Sequence, residues 1–458
     1  MSTPRPETAI SLPPVPQANA PTGPIAPTSG PAQTVTPGRP VAAKWWMTFG
    51  SDTLNKLVDW ALAANNDLSS ADAALRQAQA LARVAAGSAV PAVDVGNQVQ
   101  RAKVSNSLTT PLADSNATLY TLNTATISVS YPVDLFGGVR SKTRSARAAA
   151  EAQRFRYQAA RTTVIANVVL AVVQHASLVA QIAAANDSIR ANREVLVLLR
   201  RRQALGAIGA ADVAVQETAL ATAEGVLPPL DRARVHQEAL IAILTGVSPG
   251  SAMPRLPGLS DLTLPQDLPL SLPSELVGHR PDIRASDAQM RGAAADVGTA
   301  IAARLPGIQL SANIGGSAPN FADMFTSGNL FWSLLGGITQ PFFHGGALRA
   351  QQAAAEAALD GAKAQYRTAV LQAFVEVSDA LTGLHSDAES LDAATRGDAA
   401  AAQNLRYVRR QLELGDVGTL ALLNANAARA QAAALLVQVR AARMSDTAAL
   451  YQALGGSE

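Results

Sequence analysis

The residues with the most chemistry to offer are Arg280, Asp282 and five histidines, and none is arranged for catalysis. Arg280-Pro281-Asp282 has the form of a motif. A proline suits the first turn of a helix, however, and an acid beside it favours the positive end of the helix dipole. The triplet is therefore expected to start a helix. His175, His236, His279, His344 and His385 are scattered, without the clustering of a metal site. The chain has no cysteine, which excludes disulfides, thiolate zinc sites and cysteine nucleophiles. Gly137-Gly138 and Gly345-Gly346 lack phosphate-loop context and are expected at strand-to-helix bends. No nucleophile, base and orienting group recur in a readable spacing. An enzyme, a cofactor and a metal are thus not expected.

Composition narrows the remaining classes. The 458 residues suffice for about three ordinary domains. Hydrophobic residues make up 48% and aromatics only 4%, with alanine abundant, as suits long helices that approach closely. Lys and Arg number 37 against 35 Asp and Glu, and no basic run is interleaved with aromatics, so nucleic acid is not an expected partner. The longest apolar segment, Val164 to Ala185, is broken by Asn167, Gln174, His175 and Gln181. It falls short of the ~18 uninterrupted residues of a membrane helix and reads as a buried one. No basic-plus-apolar leader follows Met1, so either the protein is cytoplasmic or the numbering starts after a removed leader.

The elements that carry these residues occur twice. Tyr157 falls on Tyr366, Leu205-Gly206 on Leu414-Gly415, Gly209 on Gly418 and Gly246 on Gly455, all at an offset of 209. Upstream the offset is 215, with Asp67 on Asp282 and Pro91 on Pro306. This period is too long for a solenoid unit and marks a duplicated half-protein. A proline-rich extended segment, 1–43, precedes a first repeat at 44–248. A proline-rich connection, 249–273, then leads to a second repeat at 274–458. Helical periodicity starts near Trp45 and runs to about Ser88. From Arg140 to Leu205 there is neither proline nor glycine, enough for a helix on the order of 100 Å. Its partner, Ala210 to Leu244, should kink or break at Pro228-Pro229. Heptad positions Ile182, Ile189 and Leu196, then Val213, Leu220 and Leu227, suggest an antiparallel coiled-coil hairpin with its tip at 205–209. The second tip falls at 414–418.

Each repeat also has two alternating runs. Val93, Val95 and Val99 alternate with Asp94, Gly96, Gln98 and Gln100, and a polar loop, Ser105 to Asn116, follows. Ile127, Val129, Tyr131 and Val133 then alternate with Thr126, Ser128 and Ser130. In the second repeat Ile308, Leu310, Ala312 and Ile314, then Leu330, Trp332, Leu334 and Ile338, do the same. Strands of about ten residues cross a bilayer when tilted, although alternation alone fits two soluble hairpins equally well. Four strands cannot close a barrel. If they span a membrane, two chains would supply eight and three would supply twelve. Phe321, Phe325, Phe331, Trp332, Phe342 and Phe343 cluster around the second hairpin as an aromatic girdle would.

Gly278-His279-Arg280-Pro281-Asp282-Ile283-Arg284-Ala285, continued by Asp296-Val297-Gly298 and Leu305-Pro306-Gly307-Ile308-Gln309-Leu310, resembles the signature of TolC-like outer membrane factors. The similarity is to the NodT-type efflux lipoproteins in particular, and it covers about Trp45 to Gly456. Tyr131-Pro132-Val133-Asp134-Leu135-Phe136-Gly137-Gly138 and the Leu-Gly tips agree with it. The resemblance implies a mixed α and β membrane protein. In a homotrimer, long helical hairpins would form a periplasmic α-barrel and four transmembrane β-strands per chain would complete a twelve-stranded barrel. It implies the outer membrane as location, with most of the chain in the periplasm. The implied function is the passive, gated exit duct of a tripartite efflux pump, with a periplasmic adaptor and an RND-type inner-membrane transporter as partners and outer membrane lipid around it. Lipid anchoring is expected from the family alone, since neither leader nor acceptor cysteine occurs in this numbering. A general diffusion porin and a coiled-coil envelope protein without a conduit are the alternatives.

The resemblance also assigns the tips. Asp212 matches a family gate aspartate, while the corresponding second-repeat positions are Ala421 and Asn424. Asp416 could substitute there, and Tyr407, Arg409 and Arg410 could pair with Asp212 of a neighbouring hairpin. Leu205, Gly206, Gly209, Leu414, Gly415 and Gly418 are the expected adaptor-docking surface.

Overall fold

The computed structural model of the protein describes residues 32–103, 119–248, 250, 253–270 and 273–456. Residues 1–31, the loop from Ser105 to Asn116 and parts of the 249–273 connection lie outside the described residues. The chain divides into two units. One is built from Leu75–Gln153 and Ser286–Tyr366. The other comprises Arg154–Ala285, Arg367–Glu458 and the described residues before Leu75.

The first unit holds an antiparallel sheet. Strands β2 (Ala92–Lys103) and β3 (Leu119–Val133) pair, β3 pairs with β5 (Gly307–Ala318), and β5 pairs with β6 (Leu330–Thr339). Side chains directly opposite on paired strands share a face. Val93, Val129, Ala312 and Leu334 therefore form one row, and Val95, Ile127, Ile314 and Trp332 the next but one. Between them runs Asp94, Ser128, Asn313 and Ser333 on the opposite face. The apolar rows are largely exposed, with Trp332 at 77% and Val95 at 81%. The outer edges of β2 and β6 carry no partner strand among the described residues.

In the second unit the helices are set by local chemistry. A 3-10 turn, Trp45–Phe49, packs Trp45 flat on Tyr451 with ring centroids 4.9 Å apart. Helix α1 (Asp52–Ala64) follows, with the Ser51 hydroxyl accepting from the Leu54 amide. Helix α2 (Asn66–Gly87) is a separate element, although the sequence reads as one periodic run. Buried Asn65 ends α1, accepts from the Leu68 amide and donates to the Leu244 carbonyl at 2.9 Å. Strand β1 (Thr34–Pro37) pairs in parallel with β4 (Asp267–Leu270), so part of the proline-rich segment is fixed by the connection between the repeats.

The long helices are α3 (Gly138–Ala204) and α8 (Ala347–Leu414), with 67 and 68 residues. Helix α3 turns back through α4 (Ala210–Gly225) and α5 (Leu227–Leu244), and α8 through α9 (Thr419–Ala453). The break between α4 and α5 places Pro228 and Pro229 in the first turn of α5, where their missing amides cost nothing. Valine and glutamine at 437 and 438 let α9 continue unbroken. By length and composition α3 and α9 each contain a stretch apolar enough to cross a membrane; in α3 half of it is buried inside the protein. Helices α6 (Pro273–His279) and α7 (Pro281–Ala302) precede β5.

The duplication extends to single backbone conformations. Gly206 and Gly415, and Gly246 and Gly455, all have positive φ at the offset of 209. At each tip the glycine amide and the next amide bond back to the last turn: Gly206 to Gln203 and Ala207 to Arg202, Gly415 to Leu412 and Asp416 to Gln411. The surroundings of these glycines differ. A Cβ on Gly246 would lie 2.3 Å from the Ala64 carbonyl oxygen, whereas one on Gly206 would meet nothing within 4 Å. Gly246→Ala is therefore expected to destabilise by more than about 3 kcal/mol and Gly206→Ala by only ~1 kcal/mol, read from urea unfolding in detergent. Equal losses would remove the close approach as the reason for Gly246.

Candidate functional site

At the tips the two hairpins of one chain meet. Val195, Leu196 and Leu199 of α3 and Val213 of α4 form a buried cluster with Leu412 of α8 and Leu422 of α9. Leu196, Val213 and Leu220 are three of the heptad positions, so the coiled-coil seam continues into a contact between hairpins. Asp212 is in the first turn of α4, and its carboxylate accepts from the Thr419 hydroxyl at 3.3 Å. Thr419 is the first residue of α9, whose own first turn has no acid. One carboxylate thus lies at the positive ends of two helices, a placement that stabilises both. The acid that the second repeat lacks at Ala421 is supplied by Asp212 across the hairpin contact.

The other tip residues make contacts of their own within the chain. Arg410 pairs with Glu413 on its own helix at 3.0 Å, and Tyr407 accepts from Gln403 at 2.7 Å. Within the chain Asp212 is bound by Thr419 and by none of these. Arg409, Asp416 and Asn424 are exposed, as are Leu205, Gly206, Gly209, Leu414, Gly415 and Gly418. The first hairpin is tied by Arg200–Glu217 at 2.7 Å and Arg193–Glu224 at 2.6 Å, exposed pairs worth ~0.2–1 kcal/mol each. Buried Gln216 donates to the carbonyl and side-chain oxygens of Asn192. These cross-links escaped sequence reading because each joins residues on separate helices.

The aromatic candidates separate into rows. Phe321 and Phe325 are exposed at the turn between β5 and β6, and Phe342 and Phe343 are exposed just beyond the other end of β6. Trp332 shares the apolar face, but Phe331 does not. Its partner Gly315 pairs with Thr126 on the polar face, and the ring covers Gly315 so closely that a Cβ there would lie 3.0 Å away.

The sequence pattern of the outer membrane efflux protein family matches residues 57–247 and 272–456, both repeats. The chain belongs to this family. It is 30% identical over 460 residues to the pyoverdine export outer membrane protein OpmQ of Pseudomonas putida KT2440, covering 99% of this chain and 94% of that one. The outer-membrane channel OprN superposes with a TM-score of 0.86 at 27% identity, covering 91% and 93%. VceC of Vibrio cholerae gives 0.83 at 27%, covering 91% and 99%. The chain is an outer membrane efflux protein, and its family and relatives are channels and not enzymes.

In this efflux protein the Arg280-Pro281-Asp282 triplet is a clamp. Pro281 opens α7, and the buried Arg280 binds Asp282 at 2.6 Å, Glu376 of α8 at 2.7 Å and the Ala453 carbonyl at the end of α9 at 2.7 Å. A second buried cluster had no sequence signal. Arg443 donates to Gln33, which donates in turn to Thr447 and to the Pro265 carbonyl. Beside it Asp387 and Asp446 face each other. Burial first, and the Asp446 charge second, push Asp387 up to about 7. Burial raises Asp446 as well, and Arg443 opposes the rise at Asp387. At the same offset the first repeat has Arg234, bound instead to Asp231 and Glu238, with Glu238 bonded to His175.

The acid pair fixes the sign of a pH dependence. In the folded protein it keeps a proton that the unfolded chain releases near pH 4. Its contribution is complete below that pH and is lost as pH rises towards about 7. Thermal melting followed by helical circular dichroism should fall over this window, and Asp446→Asn, which removes the like charge, should flatten the decline. A variant with the wild-type slope would assign the dependence to other groups.

Proposed function

We propose that three copies of this chain close a twelve-stranded barrel and form the passive exit duct of a tripartite efflux pump. The observation that carries this reading is the four-stranded sheet, with an apolar exposed face, a polar opposite face and two edges without partners among the described residues. Strands of 10 to 15 residues are long enough to cross a hydrocarbon core of ~30 Å when tilted. Lipid cannot satisfy free strand edges, so they must be paired by further strands. Phe321 and Phe325 would line one interface, Phe342 and Phe343 the other, with Trp332 between them. Phe331 would face the lumen. Scattering measurements in detergent should give three times the 47.2 kDa chain mass. Twice that mass would mean eight strands, and a monomer would sink the reading.

The tips would close the duct at rest and dock a periplasmic adaptor, with an RND-type transporter supplying energy from the inner membrane. The small residues at Gly206, Gly209, Gly415 and Gly418 leave the tip backbone open to a partner. Asp212, bridging two helix starts, and exposed Asp416 are the gate carboxylates in this reading. The polar lumen offers little selectivity, so the choice among cargoes rests with the transporter. In planar bilayers the wild-type channel should be nearly closed. Asp212→Ala with Asp416→Ala should raise its conductance several-fold. High wild-type conductance would instead favour a general diffusion porin, and an unchanged variant would remove both residues from the gate.

A further inference from the structure

All four strands join their helices at one end of the sheet, where Val133 is in register with Ile308 and Gly307 with Thr339. Just beyond that end Leu135, Phe136, Phe342 and Phe343 are exposed. Charge then becomes one-sided. Segments 78–91, 134–147, 292–306 and 340–354 together contain seven Lys or Arg against two Asp or Glu, a net +5 in a chain whose total is +2.

The excess is concentrated at the start of α3. Its first ten residues contain Arg140, Lys142, Arg144 and Arg147 and no acid, while the first ten of α8 contain Arg349 and Glu356. Cations at a helix N-terminus oppose the dipole, so this arrangement weakens the isolated helix. Arg140 is answered by Asp134, which also caps the Val139 and Arg140 amides. Arg144 donates to the neutral Ser141 hydroxyl at 2.9 Å. Among the described residues no carboxylate is within ion-pair distance of Lys142, Arg144 or Arg147, and all three are exposed. Lys142 and Asp134 line a cavity of about 450 Å³ whose walls also include Leu135, Phe136, Val139, Pro306 and Ile308.

We infer that this basic collar binds the phosphate groups of anionic phospholipids in the leaflet nearest the helices, with acyl chain against the apolar wall. The inference rests on the reading that the sheet spans the membrane. It follows from the order of surfaces along the chain: apolar strand face, exposed aromatic row, then unanswered cations. That order matches the layers of a leaflet from hydrocarbon to charged headgroup, and the ligand's negative charge offsets the dipole conflict. Each surface cation strengthens association with anionic lipid by roughly five-fold at low salt.

The test uses the full chain in vesicles of phosphatidylcholine alone or with one quarter phosphatidylglycerol. Flotation reports insertion, and mass spectrometry of detergent extracts reports the lipid retained per chain. The wild type should float with both vesicles and, in 0.1 M salt, retain phosphatidylglycerol and phosphatidylcholine in a ratio at least three-fold above the bulk one to three, with the enrichment falling in 0.5 M salt. Lys142→Gln with Arg144→Gln and Arg147→Gln should float equally well and lose the enrichment. The charge-keeping set Lys142→Arg, Arg144→Lys and Arg147→Lys should retain it, which separates lost charge from misfolding. Flotation without enrichment in the wild type, or enrichment unchanged by the glutamine set, would overturn the collar and leave the membrane reading standing. A wild type that floats with neither vesicle would overturn both.

Discussion

A strand edge exposes amides and carbonyls that must be paired somewhere, and in this chain β2 and β6 each leave one such edge. The apolar face rules out water as a comfortable surrounding, because Val95, Trp332, Leu334 and Ile338 are all exposed on it. Hydrocarbon accommodates that face but leaves the edges unpaired. In the proposed barrel, strands from further copies of the chain would meet both demands.

The duplication shows which features that arrangement requires and which are free to diverge. Positive-φ glycines recur in pairs at the tips and helix ends, where a left-handed residue is needed to satisfy terminal carbonyls. The first turns of the long helices have diverged. Asp134 caps α3, whereas its offset partner Phe343 is exposed and the positive-φ Gly345 and Gly346 precede α8. The polar layers around Arg234 and Arg443 have diverged too, one holding ordinary ion pairs and the other an acid pair whose burial raises both carboxyls. Backbone geometry is common to both copies, and charge is where they part.

What the sequence made legible follows from the range of each interaction. Strand alternation and the proline break near Val226 are local, and they could be read from neighbouring residues. The division at Asn65 could not, because that side chain is fixed by the carbonyl of Leu244, 179 positions away. Phe331 looked like a companion of Trp332, but adjacent residues on a strand point to opposite faces, and Gly315 opens the space that the ring fills. Arg410 pairs along its own helix with Glu413, three residues on. Asp387 and Asp446 are 59 residues apart, so only the packing of α8 against α9 brings them together.

The tip cluster also limits how the helices of one chain can move. Separating the two hairpins would expose Leu199, Val213, Leu412 and Leu422 and break the bond from Thr419 to Asp212. Fully burying one such side chain is worth ~1.5–3 kcal/mol, so exposing even part of this cluster is unfavourable. A displacement of both hairpins together keeps the cluster intact and leaves Asp212 at the start of both α4 and α9. The inexpensive motion is therefore that of a hairpin pair as one body. Asp212 then serves the starts of both α4 and α9, whose own first turn holds no acid.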